Sequence, residues 1–134
     1  MLLVDTTVWS LALRRDAPEP GVLVDRLSLA LHEGDVATTG LVAQELLQGF
    51  HGPTQAPVVL DIIRSAAWLI PTLDDHVEAA AIRNRCRRQG VQVTTVDALL
   101  AALSIRRGIE LLTADQDFTH IARLTDLRVW RPLG

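Results

Sequence analysis

Short, continuous apolar runs alternate along this chain with longer stretches in which apolar residues return every three or four positions. Leu2-Leu3-Val4, Asp35-Val36-Ala37-Thr38, Trp68-Leu69-Ile70 and Leu111-Leu112-Thr113 are the short runs, and they predict strands buried on both faces. The helical spacing occupies the ground between them. Val8, Trp9, Leu11 and Leu13 follow Thr6-Thr7, which reads as a helix cap. Pro18-Glu19-Pro20-Gly21 breaks the chain, after which Val22, Leu23, Leu27 and Leu31 recur until Gly34. Thr39-Gly40 opens a helix through Phe50 that carries Glu45 near its beginning and closes at Gly52-Pro53. Pro57 to Ala67 repeats at helical intervals, Asp74-Asp75 begins a helix that stops at Gly90, and Thr94-Thr95 caps another from Val96 to Arg107. Asp115-Gln116-Asp117-Phe118 reads as a loop or helix start, and Val129-Trp130 as a final edge strand.

Strands separated by helices predict a parallel sheet, because parallel neighbours need a crossover of about a dozen residues or more. The expected fold is a single α/β domain spanning residues 1–134, a three-layer α/β/α sandwich around a mainly parallel sheet. In open sheets of this kind a ligand crevice lies beyond the carboxyl ends of the strands, where the winding direction reverses.

Composition narrows the class. With 49% apolar and 22% charged residues the chain is neither disordered nor of low complexity. No apolar run approaches the ~18 residues of a membrane span, and Met1-Leu2-Leu3-Val4-Asp5 has no basic leader, so a cytoplasmic protein is expected. Cys86 is the only cysteine and reads as a packing residue. The net charge of −3 disfavours a broad cationic face for duplex nucleic acid. All 13 basic residues are arginine, clustered at Arg14-Arg15, Arg83/Arg85/Arg87/Arg88 and Arg106-Arg107. A guanidinium fork suits phosphate, although a coding bias and solvated helix faces would produce the same clusters.

The chemistry lies in four acids far apart in sequence, Asp5, Glu45, Asp97 and Asp115, each beside an apolar element. Carboxylates are rarely buried unless paired or bound to a cation, so their placement at the ends of core elements points to a shared metal. His32, His51, His76 and His120 lack zinc-ligand spacing, whereas a hard cation such as Mg²⁺ takes carboxylate oxygens. A divalent-metal hydrolase acting on phosphodiesters is the expectation.

Val4-Asp5-Thr6-Thr7-Val8-Trp9, Glu45-Leu46-Leu47-Gln48-Gly49, Thr95-Val96-Asp97-Ala98-Leu99-Leu100-Ala101-Ala102 and Leu112-Thr113-Ala114-Asp115-Gln116-Asp117-Phe118, in that order, resemble the VapC-type toxins of the PIN-domain ribonuclease family. The likeness runs essentially the whole length of the chain. It implies an Mg²⁺- or Mn²⁺-dependent endoribonuclease, usually a homodimer, inhibited by a small VapB-type antitoxin whose tail fills the acidic groove. By the same resemblance Asp5, Asp97 and Asp115 are metal ligands and Glu45 completes the catalytic acids. Asp117 is a further acid of the pocket, while Thr6 and Thr113 orient a carboxylate or contact substrate. The family often has serine where Thr7 stands, and threonine keeps the hydroxyl.

Each of these residues also has a plain structural reading. Asp97 would suit the helix dipole, Asp115 and Asp117 with Thr113 a loop cap, and Glu45 a solvated helix face. Asp5 resists this, because a carboxylate leaving a buried strand needs a partner. Two other functions are weighed. An aspartyl-phosphate phosphatase would use Asp5 as nucleophile, but such enzymes carry a second aspartate where Thr7 stands. A catalytically silent PIN-like binding module would keep the fold yet leave idle carboxylates repelling one another. Trp9 and Trp68 read as core or interface anchors rather than stacking platforms for bases.

Overall fold

A computed structural model describes residues 1–14 and 21–133, so Arg15 and most of the expected Pro18-Glu19-Pro20-Gly21 break lie outside the described residues. The elements run β1 (Leu2–Val4), α1 (Thr6–Leu13), α2 (Val22–Glu33), β2 (Val36–Thr39), α3 (Gly40–Gly49), α4 (Gln55–Arg64), β3 (Ala67–Leu69), α5 (Leu73–Arg88), α6 (Thr95–Arg107), β4 (Glu110–Leu112) and α7 (Asp117–Leu124). The four strands form one parallel sheet in the order β3-β2-β1-β4. The expected α/β architecture is therefore the observed one.

The strand order dictates where the helices go. Chain progress from β1 to β2 to β3 moves one way across the sheet, and right-handed crossovers place α1 to α4 on one face. The step from β3 to β4 moves back past β2 and β1, which sends α5 and α6 to the other face, and α7 packs with them. Winding reverses beside β1, between it and β4, so the crevice expected of an open sheet opens where those two strands end.

Leu2, Leu3, Val4, Leu111 and Leu112 are buried, as a central parallel pair covered on both faces requires. Above them α6 buries every residue from Ala98 to Ser104, and Ala98, Ala101 and Ala102 let its backbone approach the sheet. Each fully buried leucine is worth roughly 1.5–3 kcal/mol relative to exposure. Trp9 and Cys86 are wholly inside this core, whereas Trp68 on edge strand β3 is 47% exposed. No helix among the described residues is long and apolar enough to cross a membrane.

Several boundaries differ from the sequence pattern, each for a local reason. Helix α1 is capped by Asp5, whose side chain accepts from the Thr6 N–H, and not by the threonines. Helix α3 opens at Gly40 as expected, which puts Glu45 in its second half rather than near its beginning. Strand β3 begins at Ala67 and ends before Ile70. Val129 makes only a single parallel bridge, to Leu111, so the expected edge strand is reduced to one contact. Asp75 does more than begin a helix: it completes a capping box with Thr72 and is fully buried.

Candidate metal centre

The site begins with the register of two strands. Val4 pairs with Leu112, so the chain leaves the sheet at Asp5 and Thr113 side by side, and the Asp5 N–H donates to the Leu112 carbonyl at 2.9 Å. Asp5 is 6% exposed. Its Oδ1 accepts from the Thr6 N–H, and its Oδ2 accepts from the Thr7 and Thr113 hydroxyls, all at 2.8 Å. A carboxylate offers about four lone-pair positions, so three donors leave one free on Oδ1. The network extends further: Thr7 Oγ1 accepts from the Ala114 N–H and Thr113 Oγ1 from the Asp115 N–H, both at 3.0 Å. Two threonines thus tie the end of β1 to the loop that carries the next acids.

Asp97 comes from the opposite face. Thr94 caps α6 by accepting from the Asp97 N–H at 3.1 Å, which sets Asp97 in the first turn with its carboxylate over the same edge of the sheet. Burial pushes the Asp97 carboxyl up to about 6, helped by the charges of Asp5, Asp115 and Asp117 and opposed by a hydrogen bond with Thr94. Glu45 is likewise raised, first by burial and then by the Asp5 charge, with the Thr6 hydroxyl pulling the other way. Thr6 Oγ1 is itself buried without a hydrogen-bond partner of regular geometry.

Asp5, Thr6, Glu45, Asp97 and Asp115 line one cleft of about 650 Å³. Thr113 stands behind Asp5, and Asp117 lies at the outer margin, where it lines an adjoining groove. One carboxylate oxygen from each of Asp97, Asp115 and Asp117 lies within 4.8 Å of the others, and Asp5 is not among these three. Opposite oxygens of an octahedral Mg²⁺ shell are about 4.2 Å apart, twice the ~2.1 Å bond length. Three hard anionic oxygens drawn to within little more than that span, in the cleft that Asp5 also lines, fit a divalent cation and suit no soft metal. The loop-cap reading of Asp115 also holds, since its Oδ1 accepts from the Asp117 N–H at 2.9 Å. That bond occupies one oxygen and aims the carboxylate.

Four polar residues of the cleft are not among the expected site residues: Thr7, Ser10, Arg14 and Thr94. Thr7 had a signal, a hydroxyl two positions after an aspartate that ends a strand. Ser10 and Arg14 follow from it only once α1 is known to start at Thr6, which places them one and two turns along the same face. His32, His51, His76 and His120 are all exposed and away from the cleft lining.

The PIN domain profile matches residues 2–124. A VapC ribonuclease of Mycobacterium bovis and ribonuclease VapC11 of Mycobacterium tuberculosis are each 32% identical over 132 residues, covering 96% of both chains. Among solved structures, the VapBC2 complex of Rickettsia felis bound to a promoter DNA fragment superposes with a TM-score of 0.77 at 18% identity, covering 96% of each chain. VapC20 of Mycobacterium tuberculosis, a toxin that cleaves the sarcin-ricin loop, gives 0.70 at 22% identity, covering 96% of this chain and 99% of that one. At such identities the structures speak for the fold, while the profile and the curated relatives speak for descent. This chain belongs to the PIN-domain family, within its VapC ribonuclease branch.

Proposed function

We propose that this protein is a cytoplasmic, divalent-metal-dependent endoribonuclease and the toxin of a type II toxin–antitoxin pair. The observation that carries the reading is the convergence of Asp97, Asp115 and Asp117 within 4.8 Å beside the nearly saturated carboxylate of Asp5. Asp97, Asp115 and Asp117 would hold Mg²⁺ or Mn²⁺, with Asp5 giving its remaining lone pair. Such an ion supplies charge neutralisation at the scissile phosphate and acidifies a water. The chain's own groups do the rest. Thr7 and Thr113 fix the plane of the Asp5 carboxylate, and Thr94 fixes the helix turn that presents Asp97. Glu45, whose affinity for a proton is raised, is the group suited to take one from the attacking water. The buried Thr6 hydroxyl sits beside Glu45 and holds back the rise of that carboxyl.

A silent binding scaffold is disfavoured because it leaves Asp97, Asp115 and Asp117 crowded together with no cation to balance them, like charges that add to the effect of burial in raising Asp97. A phosphoenzyme through Asp5 is disfavoured because both oxygens of Asp5 are already engaged by donors. The partner is a VapB-type antitoxin, a reading supported by relatives of the same fold solved as VapBC complexes. A homodimer would cover Trp68, Ile70, Leu73 and Val77, apolar side chains exposed around the end of β3 and the start of α5.

The test is incubation of antitoxin-free protein with total cellular RNA and Mn²⁺, with and without a chelator, followed by mapping of the cut ends. Discrete cuts that vanish with chelator, and with Asp97→Asn, are expected. Intact RNA in the presence of metal and folded protein would end the reading.

A further inference from the structure

Next to the acidic cleft lies a second groove of different character, about 460 Å³ in volume, with Arg83, Arg87, Gln92, Thr94 and Asp117 among its walls. Thr94 lines both cavities, and Asp117 is one of the three clustered carboxylates, so this groove opens onto the metal centre. Resting on the nuclease reading, the geometry points to Arg83 and Arg87 as the site that grips an RNA phosphate neighbouring the one to be cut.

The need for such a site follows from charge. A cleft walled by carboxylates on a chain of net charge −3 repels a polyanion until cations intervene, and a bound metal serves only the phosphate under attack. The strand on either side requires arginines whose charge is not already matched inside the protein. Arg106 and Arg107 are matched, because both are bound to Asp75. Among the described residues Arg83 and Arg87 have no such acidic partner. They stand four residues apart on α5 and so share a face. Arg83 Nε donates to the Val93 carbonyl at 2.8 Å, which anchors the side chain to the α5–α6 loop but leaves its charge uncompensated and its terminal nitrogens available. The Arg87 side chain makes no hydrogen bond or ion pair among the described residues. The α6 N-terminus at Thr94 adds the positive end of its dipole to the same groove. A planar guanidinium accepts phosphate in a bidentate fashion, and continuity with the metal centre makes the occupant the strand that is being cut rather than an acidic peptide.

The test measures binding and cleavage separately. A labelled single-stranded RNA is titrated by anisotropy against Asp97→Asn protein, alone and with Arg83→Gln and Arg87→Gln together. The double change should weaken binding at least tenfold and lower the slope of log affinity against log salt by about 0.7, the value for one phosphate contact in single strands. In the otherwise wild-type enzyme KM should rise about tenfold with kcat within twofold, and lysine at both positions should restore part of the loss. Arg87→Gln alone, which removes no internal bond, guards against a folding artefact and should give about half the slope change. A double variant that melts like its parent and binds RNA with unchanged affinity and slope overturns the site, as does one that loses only binding to poly-glutamate. Wild-type protein that binds RNA through these arginines yet cuts none would leave the site standing and remove the nuclease reading alone.

Discussion

Two aspartate sites in this molecule meet opposite fates. Asp75 at the start of α5 has no exposure at all, yet its carboxyl is held well below the usual carboxylate range. Arg107 donates to both its oxygens at 2.6 and 2.9 Å, Arg106 adds a bond at 2.9 Å, and the Thr72 N–H another at 2.7 Å. Asp97 is only partly buried, yet its carboxyl is pushed up to about 6, first by burial and then by neighbours that are acids rather than arginines. Burial raises both, so the sign is decided by what the protein places opposite the charge. The first site is complete and locks α5 to α6, whereas the second is left unbalanced and asks for a cation from outside.

The contrast breaks most visibly at Asp75. Asp75→Asn should cost about 3 kcal/mol or more, since it leaves a partly buried Arg107 without its counter-charge. Chemical denaturation measures this, and a loss below about 1 kcal/mol would mean that the α5–α6 lock is decorative. Metal comes next in size. Mn²⁺ at a hundred times its dissociation constant should stabilise the protein by about 2.7 kcal/mol, read as a rise in Tm. Asp115→Asn should remove most of that rise while Asp75→Asn leaves it in place.

A smaller effect carries the opposite sign. Asp97→Asn should make the metal-free protein firmer by about 1 kcal/mol, discounted for partial exposure, while abolishing cleavage. The pH dependence separates the two aspartates. The folded form of Asp97 binds its proton up to about 6, above the ordinary value near 4, so metal-free stability falls as pH rises through that window. Asp75 is depressed, so its contribution is full above about 4 and is lost as pH drops toward the folded value. Metal-free protein should therefore be most stable near pH 4 to 5, and Asp97→Asn should flatten the decline toward neutrality. A wild-type maximum at pH 7 or above without metal would contradict the assignment.

The same two sites show what a chain reveals before it folds. The metal-side acids are legible because each is attached to a recognisable element end: Asp5 to a three-residue apolar run, Asp97 to a Thr-Thr cap, Asp115 to the exit of the last strand. Element ends in a parallel sheet are brought to one edge by topology alone. The Asp75 lock gave no such sign. Its partners lie 31 and 32 positions away at a helix C-terminus, where arginine is ordinary, and only the packing of α5 on α6 unites them. The Gly40 start of α3 was legible, but which way position 45 faces is set by how that helix packs, which spacing alone does not give. Thr7 was legible only as a position where the family keeps a hydroxyl; its role depends on strand register, which pairs Val4 with Leu112 and so brings residue 7 to the Ala114 N–H.

Thr7 supplies the finest test of the comparison, since it concerns how the unbalanced site is held rather than whether it exists. Its hydroxyl donates to Asp5 Oδ2 and accepts from the Ala114 N–H, bridging β1 to the loop bearing Asp115. Thr7→Ser keeps both bonds and should leave stability within about 0.5 kcal/mol and cleavage within a few fold. Thr7→Val keeps the shape but strands the Ala114 N–H and strips one donor from Asp5, costing about 1 kcal/mol. Loss of that donor also frees a second lone pair on Asp5 and loosens the carboxylate plane. Mn²⁺ should then still raise Tm, while kcat falls roughly tenfold, as is typical when an outer partner of a metal ligand is removed. If Thr7→Val cleaves as well as Thr7→Ser, orientation of Asp5 is not limiting, and the positioning role passes to Thr113 alone.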